Sequence, residues 1–155
     1  DPASVDLTEL GALEKLPETS DEDWAAYTAD AATLADENSG IGARRASTRL
    51  IEAGRPAVPA IIDAFKGVDF STTSGARTGE VVNRTLKAIF NGKDAGYIND
   101  DSALAQYQNK LIVRTWHKTW LKVGLDEADW LEFTGWGQDG SEEVDGGEEP
   151  AGEDG

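Results

Sequence analysis

A glycine and two prolines gathered into residues 54–59 forbid one continuous helix through an apolar stretch of this chain. Ahead of them, Ala43, Ala46, Leu50 and Ala53 recur at helical spacing and form a narrow stripe of mostly small side chains. Small residues there let a neighbouring helix approach closely, while Arg44, Arg45, Arg49 and Glu52 fall on the solvent side. Gly54 follows the last periodic residue, where glycine takes the left-handed conformation that ends a helix. Pro56 bars continuation, and Pro59 suits the first turn of a second helix, where its missing N–H costs nothing. Ile61, Ile62 and Phe65 give that helix its apolar face, and Gly67 closes it. The stretch predicts two short helices joined by a tight corner.

The same rules extend to the rest of the chain. Leu7, Leu10, Leu13 and Leu16 predict a short amphipathic helix that Pro17 stops. Ser20 followed by Asp21, Glu22 and Asp23 is a helix start, with a capping oxygen and acids favoured by the helix dipole. That helix carries Trp24, Tyr27, Ala31 and Leu34 on one face and is expected to end near residues 38–40. Residues 68–80 are rich in Ser, Thr and Gly and read as a loop. Helix returns near Thr78, with Val82, Leu86 and Ile89 inward and Val81 and Phe90 at the margins. The longest helix is expected from Ser102 to about Val123, with Gly124 as its stop, and a last turn of helix begins at Asp126.

The helix, glycine-proline corner and helix around Ala57–Ile62 resemble a HEAT repeat, the antiparallel helix pair that stacks into α-solenoids. The likeness is closest to the degenerate HEAT-like repeats of exported bacterial proteins of planctomycete-like type. Gly92 to Tyr97, followed by the spaced Trp116 and Trp120, fit what such proteins carry after the corner. Leu50 to Leu86 spans 36 residues and Gly54 to Gly92 spans 38, near a HEAT period, although side-chain similarity between the copies is poor. The resemblance covers roughly residues 24–123. It implies an all-α, short, right-handed solenoid of helical hairpins, and such repeats host scaffolding far more often than catalysis.

Charge divides the chain in three. Residues 1–40 hold 11 acidic residues against 1 basic, residues 41–137 hold 11 against 13, and residues 138–155 hold 8 against none, within a total net charge of −16. The expected organisation is an acidic arm with a short helix (1–19), a HEAT-like helical domain (20–137) and an acidic, glycine-rich C-terminal tail (138–155). Alone in water such a tail is expected to be disordered. Acidity of this degree argues against binding nucleic acid or an anionic membrane, and no apolar run reaches the ~18 residues that span a bilayer. With no cysteine, disulfides and thiolate metal sites are excluded. A start at Asp1 reads as a mature N-terminus left by signal cleavage, which places the protein in the periplasm or outside the cell, although a trimmed chain looks the same.

Two features are candidate binding surfaces. Lys110, Arg114, Lys118 and Lys122 repeat every four residues and line one ridge of the longest helix. The ridge is either a solvated basic face or a dock for carboxylates, including those of the chain's own acidic arms. Trp130, Leu131, Phe133 and Trp136 crowd into seven residues ahead of the tail. They either seal the open end of a short solenoid or form a docking patch. His117, the only histidine, reads as a surface residue. The oxygen-rich loop with Asp94, Asn99, Asp100 and Asp101 lacks the spacing of a calcium loop and reads as helix capping by Asp100, Asp101 or Ser102. No catalytic set, cofactor site or metal site is expected.

These readings converge on a non-enzymatic protein–protein interaction module, an accessory or scaffold subunit of a larger exported assembly whose partners are other protein subunits. The alternatives are an acidic inhibitor or decoy that occupies a basic site on a partner, and a surface protein that binds calcium weakly; the acidic tail is expected to bind cations diffusely.

Overall fold

The computed structural model describes residues 1–94 and 96–138, and among these the fold is all-α, with no strand. Helix α1 spans Asp21–Leu34, and the Ser20 hydroxyl accepts the Asp23 N–H at 3.0 Å as its cap. It ends four residues earlier than the sequence suggests. The Asp36 carboxylate accepts the Asn38 N–H, the Ser39 hydroxyl reaches the Thr33 carbonyl, and together they turn the chain before another helical turn can form. Helix α2 spans Ile41–Ala53 and runs back along α1, with Arg49 forking onto Asp30 at 2.8 and 3.0 Å. Ala46 and Leu50 are buried while Arg44, Arg45, Arg49 and Glu52 are exposed, as the stripe requires.

Gly54 ends α2 at φ 73°, ψ −139°. This is a glycine conformation, yet it is not the left-handed helical one: the chain swings into an extended arm that starts the corner at once. A 3-10 turn over Arg55–Ala57 leads into α3 (Val58–Phe65), which carries Pro59 in its first turn. Short as it is, α3 sits at the centre and packs on α1, α4 and α5. Val58, Ile61, Ile62 and Phe65 are wholly buried there. Fully burying side chains of this kind stabilises by about 1.5–3 kcal/mol each.

Helix α4 (Thr73–Ile89) begins inside the stretch read as a loop, capped by the Thr72 hydroxyl on the Gly75 N–H at 2.9 Å. The composition misleads because Gly75 and Gly79 serve close approach rather than flexibility. A Cβ on Gly75 would collide with the Asp69 carbonyl, and one on Gly79 with the Tyr97 hydroxyl and the Phe70 ring. Val82, Leu86 and Ile89 face inward as expected, and Phe90, expected at the margin, is wholly buried. Ser47 on α2 and Thr85 on α4 meet hydroxyl to hydroxyl at 2.6 Å, 38 residues apart. Ala43 lies beside Val81 one turn earlier, so α2 and α4 run in the same direction.

Helix α5 spans Ala103–Thr119, capped by Ser102, and widens into a π-helical turn over Trp120–Gly124. Gly124 is the last residue of that turn and must be glycine because the Trp120 indole lies where a Cβ would stand, and Arg55 of the corner donates to the Gly124 carbonyl at 2.8 Å. Helix α6 spans Glu127–Thr134. None of the described helices is long and apolar enough to cross a membrane.

The N-terminal segment departs from the expected amphipathic helix. Asp6 caps Thr8 and forms only a 3-10 turn, Leu7–Leu10, and Gly11 at φ 74° ends it. A lone helix of a dozen residues is marginal in water, whereas an extended path can press side chains onto the body from both edges. Val5, Leu7, Leu13 and Leu16 are buried along that path. The segment is pinned by Leu13 N–H on Asp63 at 2.9 Å, Lys66 on the Gly11 carbonyl at 2.7 Å and Lys110 on the Pro2 carbonyl at 3.1 Å. All but the first residue of the tail at 138–155 lies outside the described residues.

Candidate docking surfaces

The C-terminal aromatic end is built on α6. Asp126 accepts the Asp129 N–H at 3.0 Å to start the helix, and Gly135 at φ 79°, ψ 3° ends it in the left-handed conformation. With eight residues between those caps, the aromatics divide by face. Trp130 is 4% exposed and stands between Phe90, with ring centroids 4.7 Å apart, and Trp120, 6.1 Å away, both edge-on. Leu131 and Phe133 are each 37% exposed and Trp136 is 41% exposed. Lys93 lies over the Phe133 ring at 5.7 Å, and the Trp136 indole N–H donates to the Ile89 carbonyl at 2.8 Å. Of the four residues singled out in sequence, one is core and three form an exposed apolar rim held on a fixed frame. Phe133 also borders a cavity of about 130 Å³ with Lys93, Asp94, Thr115, Trp116 and Thr119.

The four cations of α5 are not equivalent. Lys110 is half-buried and tied to the Pro2 carbonyl, so the N-terminal segment covers that end of the row. Arg114 is half-buried, while Lys118 and Lys122 are exposed. Lys122 sits in the π-helical turn, where the wider coil takes it off the straight four-residue row. His117, read as a surface residue, is 4% exposed, and its Nδ1 has no hydrogen-bond partner. Burial pushes its pKa below the ordinary imidazole value, with Lys66 and Lys118 adding to the effect and Asp63 opposing it.

The oxygen-rich loop is engaged in holding the fold. Asp94 accepts from the Asn83 amide at 3.1 Å, Asn99 donates to Glu80 at 3.0 Å, and Asp100 accepts the Asp101 N–H at 2.7 Å. Asp101 in turn accepts from the Thr73 hydroxyl at 3.0 Å. Among the described residues no group of three or more His, Cys, Asp or Glu is placed to hold a metal ion. Tyr97 donates its hydroxyl to the Ala76 carbonyl at 2.6 Å, and burial, with Glu80 nearby, raises its pKa well above the usual phenol value.

A third surface escaped the sequence reading. Between α2 and α4 lies a groove of about 390 Å³, with Arg44 and Arg84 exposed at its rim and Ser47 and Thr85 at its floor. Arg44 and Arg84 belong to different helices, and only the shared direction of α2 and α4 brings them to one groove. The signal available in sequence was their separation of 40 residues, close to the repeat spacing.

Comparison with protein-family models, with curated proteins and with solved structures finds no match to this chain.

Proposed function

We propose that this protein is a non-enzymatic interaction module, an accessory or scaffold subunit that binds other protein subunits through the aromatic end of α6. The observation that carries the reading is the division of that cluster. Trp130 is locked between Phe90 and Trp120, while Leu131 and Phe133 on the same short helix and Trp136 just beyond its end stay exposed. Apolar and aromatic anchors on a rigid base bind with little ordering cost, which is how interface centres are built. We assign the fold to a HEAT-like solenoid of helical hairpins. The antiparallel α1–α2 pair and the shared direction of α2 and α4 at a 38-residue offset support this, since successive hairpins of a solenoid repeat in that way. The exported location expected from the sequence belongs to the same proposal.

The test is to purify the native complex, identify the subunit that co-purifies and measure its dissociation across a salt series. Apolar anchoring predicts that Phe133→Ala speeds dissociation and that binding survives near 1 M salt, where the Debye length is about 3 Å. An acidic decoy would behave in the opposite way: binding would vanish in salt and ignore Phe133.

A further inference from the structure

We propose that the groove between α2 and α4 is the seat of the chain's own acidic C-terminal segment, residues 139–155. The groove is chemically one-sided. Arg44 and Arg84 stand at its rim, neither makes an ion pair among the described residues, and no carboxylate is among the residues that line it. A guanidinium presents a planar fork of donors matched to a carboxylate, so two free forks facing one cleft call for a ligand with at least two acids.

The floor narrows the choice further. Thr85 gives its proton to the Val81 carbonyl at 2.9 Å, so in the 2.6 Å contact Ser47 must be the donor. Ser47 therefore has no proton left to offer and presents only acceptor lone pairs, which suit the backbone N–H groups of a peptide. The remaining lining is Gly40, Ala43, Thr48 and Val81, all small or slim, with Ile51 as the one bulky apolar side chain. A fitting occupant is thus an acid-bearing chain with bare backbone. The segment 139–155 has that composition, with eight acids, five glycines and no cation.

Reach is not limiting. Trp136 is bonded to the Ile89 carbonyl at the end of α4, and Arg84 lies five residues back along that helix, about 8 Å by the helical rise. An extended chain covers about 3.4 Å per residue, so Glu142 and Glu143 come within range of Arg84 only a few residues past Gln138. Covalent attachment then supplies a local concentration in the millimolar range, enough to populate contacts that are individually weak. The α5 ridge is the poorer seat, because Lys110 is already held by Pro2 and Lys122 is off the row. A docked tail would shield the groove from any other acidic peptide. The groove shares no lining residue with the aromatic rim, so either surface can fail without the other.

The chain contains no cysteine, so Ala151→Cys gives a single attachment point for a nitroxide on the otherwise full chain. At low salt the label is expected to quench the backbone amide signals of residues 43–48 and 81–85. Those signals should return near 1 M salt, where charge attraction is screened within about 3 Å, and also in the Arg44→Gln, Arg84→Gln double variant. Both arginines are exposed, so an unchanged amide spectrum outside the groove will show that the double variant folds. Quenching confined to residues 110–122 would overturn the assignment in favour of the α5 ridge. Equal quenching of the groove amides on nitroxide-free chains mixed with nitroxide-bearing ones would overturn it in favour of a second copy, and no quenching at low salt would overturn it outright.

Discussion

The side-chain amide of Asn109 pairs with the backbone of Ile98 in both directions: it accepts the Ile98 N–H at 2.9 Å and donates to the Ile98 carbonyl at 2.7 Å. Asn109 is wholly buried on α5, so it works as a strand edge would and fastens the loop before α5 to that helix. Asn109→Leu keeps the branched shape but leaves both backbone groups without partners. The expected loss is about 1–3 kcal/mol, read as a lower urea midpoint with the m-value unchanged. An unchanged midpoint would mean that the loop finds water in place of the amide at no cost.

The glycines of α4 give a prediction of sign. In an ordinary helix interior Gly→Ala stabilises by about 0.5–1 kcal/mol. Gly75→Ala and Gly79→Ala are expected to destabilise instead, by about 1–3 kcal/mol each, because the added carbon meets the Asp69 carbonyl or the Tyr97 and Phe70 rings. Gly54→Val tests a different cause, since a Cβ there meets nothing and only the backbone conformation resists. It should cost about 1–3 kcal/mol. Thermal or urea unfolding of the three variants checks all of this, and a stabilised Gly75→Ala would show that Asp69 and α4 are not in contact.

How much of this was legible depends on how far apart the partners lie. Helix α1, the corner and α5 were readable because their signals are local: Ser20 and Ser102 as caps, Gly54 and Pro59 as punctuation, Ala46 and Leu50 at one spacing. The start of α4 was not, because a glycine chosen for a neighbour's carbonyl looks the same as one chosen for a loop. The buried polar groups were hidden for the same reason. Asn83 receives the Trp116 indole N–H at 2.8 Å across 33 residues, and nothing near either residue announces it. For the aromatic end, sequence supplied the four residues but not their division, since which side of α6 faces Phe90 is set by tertiary packing.

His117 sets a pH dependence. Its pKa is lowered on folding, chiefly by burial and then by Lys66, so the unfolded chain holds more protons at mildly acidic pH. Stability from this group is fully present above the ordinary value of 6.5 and falls as pH drops through that value toward the lower folded one. Urea midpoints measured between pH 8 and 5 should decline on the acid side, and His117→Gln should flatten that part of the curve. A curve of the same shape in the variant would assign the decline to the carboxylates instead.

The last prediction separates core from interface on α6. Trp130→Ala removes a ring that touches both Phe90 and Trp120, and it should cost about 3–5 kcal/mol of stability. Phe133 is more than a third exposed, with Lys93 over its ring, so Phe133→Ala should change the monomer's midpoint far less. Trp136 falls between them: it is 41% exposed, yet its indole N–H satisfies the Ile89 carbonyl. Trp136→Phe therefore serves better than alanine, removing the hydrogen bond while retaining most of the apolar surface. For an interface anchor, Phe133→Ala should weaken assembly by about 1–3 kcal/mol, mostly through faster dissociation, with the circular dichroism and melting temperature of the monomer nearly unchanged. If Phe133→Ala instead unfolds the monomer as Trp130→Ala does, the whole cluster is an end cap and the docking proposal fails. If it alters neither stability nor dissociation, the partner binds elsewhere.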